Sequence, residues 1–217
     1  MTSKGPAWAL PGEPFYISYN EKYRSTAEPV AAWPQDWPGR LHSPGQVWRA
    51  DVFDVSARWQ NDEVPTRELL TAVLTWGYGK TNYGPWRMAQ TLAVPDLDTR
   101  LEHLDPLRAP EPDVDALLAT YEAFNSFRRA RLPQMRAPFF TKLLYFAGYR
   151  RGVGGVQPLI LDSVVGNALP PEVDIRRPVE RDAPPWTSAE WLTYLRWAAI
   201  QPDGAEPDTV ETRLFAG

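Results

Sequence analysis

Proline decides where this chain can and cannot run as regular structure. It has 23 prolines in 217 residues, each fixed in φ and lacking the N–H that helices and sheets use. They crowd the first 65 residues and the stretch Pro170–Pro185. Those two zones read as segments that wrap or connect. Elsewhere several prolines stand at the edges of apolar runs: Pro65, Pro85 and Pro138 open runs, and Pro133 closes one.

Between the proline zones the apolar spacing is helical. "PTRELLTAVLTWG" predicts a helix with Leu69, Leu70, Val73 and Trp76 on one face and a stop at Gly77. Short helices are expected from Pro85 to Ala93 and over "DLDTRLEHL", where Asp96 or Asp98 can cap. "PDVDALLATYEAFNSFRRARL" predicts a long helix with Leu117, Leu118, Tyr121, Phe124 and Phe127 in one stripe. "PFFTKLLYFAGYR" predicts a helix from about Pro138 to Tyr149, and "GVGG" breaks the chain at Gly152–Gly155. "LDSVVGNAL" starts another helix with Asp162 as its cap or first-turn acid, and "TSAEWLTYLRWAAIQ" opens on a capping box. "FYISYNEKY" and "QVWRADVFDVSARW" each suit a short strand or a turn of helix. The fold class is mainly α, with six to eight helices. Residues 1–64 form a Pro/Trp-rich N-terminal layer and residues 65–217 a helical domain.

Composition excludes several chemistries. There is no cysteine, so disulfides, thiolate zinc sites and cysteine nucleophiles are ruled out. Two histidines, His42 and His103, argue against a multi-histidine metal site. No metal and no cofactor are expected. No apolar stretch approaches the roughly 20 residues of a spanning helix, and "MTSKGPAWALPGEP" lacks an apolar signal core. The expectation is a soluble, cytoplasmic monomer with no membrane partner.

The net charge of −4 hides a pattern. From Ala123 to Leu161 there are seven basic residues, Arg128, Arg129, Arg131, Arg136, Lys142, Arg150 and Arg151, and no acid. Without them the rest of the chain carries −11. A basic patch on an acidic body suits a polyanion binder, because phosphate contacts need local charge; it also suits an ordinary solvated face.

Two single charges sit inside apolar runs: Lys142 in "FFTKLLYFAG" and Asp162, twenty residues later, in "LILDSVVGNAL". The chain holds 19 arginines and only four lysines, so a lysine among phenylalanines stands out. Apolar neighbours, the start of a helix and nearby arginines all disfavour its ammonium. An amine so placed can act as a nucleophile and form a Schiff base, which arginine cannot. A snorkelling lysine and a capping aspartate are the structural alternatives. If the two meet, the carboxylate orients the amine and steadies an adjacent positive centre such as an oxocarbenium-like sugar.

A lysine in a helix, a glycine-containing turn and an aspartate at the next helix start resemble the helix-hairpin-helix DNA glycosylases. "FFTKLLYF", "LILDSVVGNAL" and the upstream "TWGYGKTNYGPWR" are similar in particular to bacterial proteins with an 8-oxoguanine DNA glycosylase (OGG) fold. The resemblance spans roughly Pro65 to Leu169. It implies that Lys142 attacks the anomeric carbon and that Asp162 assists departure of the base. It also implies strand cleavage by β-elimination (AP lyase activity), and double-stranded DNA carrying a damaged or modified base as partner. The pattern departs at the hairpin: where the family has Leu-Pro-Gly-Val-Gly, this chain reads "MRAPFFT", without glycine. Arg128, Arg129, Arg131 and Arg136 can replace that backbone grip with side-chain contacts.

The loop "WGYGKTNYGPWR" has no preceding strand and no phosphate-loop spacing, so a dinucleotide or phosphate-loop site is rejected. An enzyme that flips a base must fill the hole left behind. In the family this resembles, the loop after the corresponding helix does so, which implies Asn82, Tyr83 and Arg87; a tight helix connection is the structural alternative. Flipped bases stack between aromatics, and Phe139, Phe140, Tyr145, Trp191 and Trp197 are the candidates. A catalytically silent DNA-binding relative and a helical protein-interaction domain remain the competing functions.

Overall fold

The structure is a computed structural model and describes residues 16–37, 39–41, 43–179, 183–201 and 206–216. The N-terminal "MTSKGPAWALPGEP", Phe15 of "FYISYNEKY" and His42 lie outside them. The protein is mainly helical. Among the described residues there are ten α-helices and one two-stranded sheet. The chain forms two compact units, Met1–Leu101 with Leu132–Gln134, and Glu102–Arg131 with Met135–Gly217. The main break thus falls at Leu101, and Pro65 marks the start of a helix inside the first unit.

In the first unit, β1 (Ile17–Ser18) pairs antiparallel with β2 (Gln46–Val47), Ile17 opposite Val47. α1 (Lys22–Ala27) packs on α4 (Gly84–Leu92), and α2 (Arg49–Gln60) on α3 (Thr66–Tyr78). α5 (Leu97–Leu101) also leans on α3. The N-terminal layer therefore holds two helices. In "QVWRADVFDVSARW" the strand and the helix both form, in series. Asp51 accepts the Trp48 backbone N–H at 2.7 Å and closes the first turn of α2, whose Val52, Val55 and Trp59 are buried at helical spacing. On α3, Leu69, Leu70 and Val73 are fully buried, and Trp76 is half-buried beneath the Arg49 guanidinium. The helix runs past Gly77 and stops at Gly79, which takes φ +56. A side chain there would meet Ile17 at 2.7 Å.

The second unit opens with a 3-10 helix, Glu102–Arg108, followed by α6 (Val114–Asn125) and α7 (Ala137–Gly148). α8 (Ser163–Ala168), α9 (Ser188–Ala199) and α10 (Pro207–Ala216) complete it. α7 packs on α6 and on the 3-10 helix, and α10 on α8 and α9. α6 is shorter than its apolar stripe suggested. Ser126 is extended (φ −100, ψ 123) and the chain turns back, so Phe127 leaves the stripe and is 77% exposed. The capping box of α9 forms as expected, Thr187 and Glu190 exchanging bonds at 2.8 and 3.2 Å. The sequence reading contained no counterpart of α10, and it offered only a short strand or a turn of helix where α1 begins and where α2 forms. No helix among the described residues is long and apolar enough to cross a membrane.

Gly84 begins α4 where α1 lies against it, and a Cβ there would fall 1.8 Å from the Tyr23 hydroxyl oxygen. That hydroxyl donates to the Gly79 carbonyl at 2.9 Å, so it cannot swing away without losing a bond. Gly84→Ala should lower stability by about 1–3 kcal/mol, the usual cost of overpacking, read as a fall in the midpoint of chemical denaturation.

Candidate active site

α7 is buried almost all round: every residue from Phe140 to Gly148 is buried, as suits a central helix. Arg136 precedes it in extended conformation and Pro138 occupies the first turn, where a missing N–H costs nothing. In this setting Lys142 is 8% exposed. Its amine bends back toward the helix start, donating to the Pro138 carbonyl at 3.0 Å and to Asp162 Oδ2 at 2.9 Å. The Phe139 ring centroid is 5.6 Å from Nζ. The two charges do meet, and their side chains keep 11% and 13% of their surface open.

The return path explains why. After α7 the chain turns through Gly152, Gly154 and Gly155, all at φ of +70 to +82, and runs back as the buried segment Gln157–Leu161. Thr141, beside the lysine, accepts the Leu161 N–H at 3.1 Å and donates to the Ala137 carbonyl at 2.7 Å. Trp191 donates its indole N–H to the Leu159 carbonyl at 2.9 Å. The chain therefore reaches Asp162 in fixed register with α7.

Asp162 divides its carboxylate between two tasks. Oδ1 accepts the Val164 and Val165 N–H groups at 3.1 Å each, capping α8, and Oδ2 faces the lysine. Burial alone would raise this carboxyl. The charge and hydrogen bond of Lys142, with the two capping amides, outweigh burial and hold it below the ordinary 3.8.

Two arginines lock the far ends of these helices. Arg177 donates to the carbonyls of Gly166, Leu169, Pro170 and Val173 at 2.7–3.0 Å, closing the end of α8. Arg150 does the same for α7, donating to Ala147, Tyr149, Leu107 and Ala109 at 2.7–3.2 Å. Thr141 and Arg177 escaped the sequence reading, and Arg150 entered it only as a member of the basic run; the one signal for Thr141 is that it is the one hydroxyl inside "FFTKLL".

The other candidate residues separate into groups. Among the aromatics proposed around a base, Phe139 is half-buried beside the lysine. Phe140 and Trp191 are core residues packed on the Tyr121 ring, each with its centroid 4.9 Å away. Tyr145 is fully buried and Trp197 half-buried. Of the basic run, Arg128, Arg129 and Arg136 are exposed. Arg131 lies over the Phe127 ring, Arg150 is a backbone clamp, and Arg151 pairs with the buried Asp208. In the segment preceding α7, which lacks glycine, Gln134 takes the left-handed conformation at φ +64. In the first unit, Asn82 and Tyr83 are exposed between α3 and α4, and the Arg87 guanidinium lies 4.5 Å from the Tyr83 ring centroid. Among the described residues no three acidic or histidine side chains form a group that could hold a metal ion.

Thr141→Val removes the acceptor of a buried N–H while keeping the shape. It should cost about 1–3 kcal/mol and loosen Asp162 from Lys142, seen as faster amide exchange at Leu161. Because the folded value of Asp162 is depressed, the stabilisation from its ionised form is complete above pH 3.8 and is lost as pH falls through that lowered value. Asp162→Asn should flatten the acid limb of a stability–pH curve in that window.

A search of curated proteins and a search of solved structures each return no match. A family model does match, over residues 15–215 and thus well beyond the span read from the sequence motifs. Its description is "Putative 8-oxoguanine DNA glycosylase OGG-like protein", and the chain belongs to that family.

Proposed function

We propose that the protein is a DNA N-glycosylase that flips a damaged or modified base out of the duplex and releases it, with Lys142 as nucleophile and Asp162 assisting. The observation that carries this reading is the Lys142–Asp162 pair: an amine and a carboxylate 2.9 Å apart, mostly desolvated, each with an open edge. A purely structural ion pair gains little by being reachable, and a core position is served as well by apolar residues. Membership of a glycosylase-like family points the same way.

In this mechanism Nζ gives up a proton through Asp162 and attacks C1′ of the deoxyribose. The glycosidic bond breaks, and the base leaves with the bonding pair and takes up a proton. The Asp162 carboxylate lowers the energy of the positive sugar as the bond opens. The lysine adduct then ring-opens to a Schiff base, from which β-elimination of the 3′ phosphate gives AP lyase activity. Phe139 lines the site beside the amine. Arg128, Arg129 and Arg136 contact phosphate, and Asn82, Tyr83 and Arg87 fill the space vacated by the base. The base itself is oxidised guanine or another modified base, and a panel of duplexes scored for free base identifies it.

Borohydride reduction during incubation with such duplexes should trap a covalent adduct, and Lys142→Gln should abolish it while DNA binding persists. Absence of any adduct, with no base released from any duplex, would leave a silent DNA-binding relative. Asp162→Asn is the sharper variant, because asparagine caps a helix as well as aspartate does. It should keep the fold and slow base release on the order of 100-fold or more; retention of most activity would remove Asp162 from the chemistry.

A further inference from the structure

The turn between α6 and α7 carries a feature that the proposed chemistry does not use. Ser126 to Arg131 is a closed turn. The Ala130 N–H returns to the Ala123 carbonyl at 3.0 Å, and the Arg129 and Arg131 N–H groups bond the Ser126 carbonyl at 3.1 and 3.2 Å. The Arg128 N–H bonds the Ser126 hydroxyl at 3.3 Å. Ala130 and Leu132 are buried and pin the turn to the body of the protein. At its tip Phe127 is 77% exposed, the highest value, with Ile200, among the exposed large apolar residues that the structure describes. The Arg131 guanidinium carbon lies 3.8 Å from the centre of its ring, and Arg128 and Arg129 flank it, exposed.

A single exposed apolar side chain is ordinary on a protein surface. This one is held by a closed backbone turn and a stacked guanidinium, among cations on an otherwise acidic chain. An aromatic ring among arginines matches a nucleic acid strand, whose bases offer π faces and whose phosphates offer charge. An acidic protein surface would satisfy the arginines and leave the ring without a matching partner.

We infer that Phe127, backed by Arg131, is a base-stacking contact that packs against a nucleobase exposed by distortion of duplex DNA, with Arg128 and Arg129 on the flanking phosphates. Arg131 is then a support for the ring and not one of the phosphate contacts. The inference rests on the reading above only for DNA as the polyanion, and is independent of the lysine chemistry.

The test is fluorescence anisotropy with two labelled duplexes, one intact and one carrying a tetrahydrofuran abasic analogue opposite an orphan base. Phe127 is exposed, so its variants fold. Phe127→Ala should weaken binding to the distorted duplex on the order of tenfold, with little change on the intact one and an unchanged salt slope. Phe127→Trp should restore the preference. Arg128→Gln with Arg129→Gln should instead flatten the salt dependence on both duplexes by about one to two units of slope. Wild-type affinity for the distorted duplex in Phe127→Ala, an equal loss on both duplexes, or no binding of either duplex by the wild-type protein overturns the inference. The two readings fail separately. If Phe127-dependent binding occurs but no borohydride adduct forms and no base is released, the enzyme falls and the contact stands. If an adduct forms normally and Phe127→Ala binds as the wild type does, the contact falls and the enzyme stands.

Discussion

A charge placed where water is scarce must be matched, and in this protein Lys142 and Asp162 match each other. The desolvation of either alone would be severe. Their mutual distance of 2.9 Å, the Pro138 carbonyl on the amine and the two capping amides on the carboxylate together satisfy nearly every polar atom of the pair. The surrounding elements serve that match. Thr141 ties the returning chain to α7, and Arg150 and Arg177 close the ends of α7 and α8 with bonds to carbonyls that have no helical partner.

The arginines show how residue type and role part company. A basic run on an acidic chain reads as one patch, yet its members do three different jobs. Arg150 is a clamp on backbone oxygens, Arg151 neutralises a buried aspartate, and Arg131 supports an aromatic ring. Arg128, Arg129 and Arg136 remain at the surface, where a phosphate can reach them. A guanidinium offers five donors in a planar fork, which suits carbonyl clusters as well as phosphates. Of the seven basic residues in the run, only Arg128, Arg129 and Arg136 are therefore left by these roles to face solvent without a task inside the fold.

The family match covers nearly the whole described chain, although the motifs that suggested it occupy half. Before α7 one residue, Gln134, takes the left-handed conformation that glycine most easily adopts.

What the sequence determined by itself was local. Proline placement, apolar spacing and capping chemistry act within a few residues, so the seven helices from α3 to α9 and the capping role of Asp162 were legible in it. The stop at Gly79 in place of Gly77, and the early end of α6, were not. Gly79 takes φ +56 with Ile17, far away in the chain, packed where its side chain would be, and α6 ends where Ser126 is extended and the turn after it buries Ala130 and Leu132. Helices α1, α2 and α10 lie in or beside polar and proline-rich sequence, where weak periodicity is overruled by packing. The meeting of Lys142 with Asp162 was a question the sequence posed and only tertiary structure decided. Twenty residues of chain permit many separations, and the Thr141 tether and the arginine clamps select one.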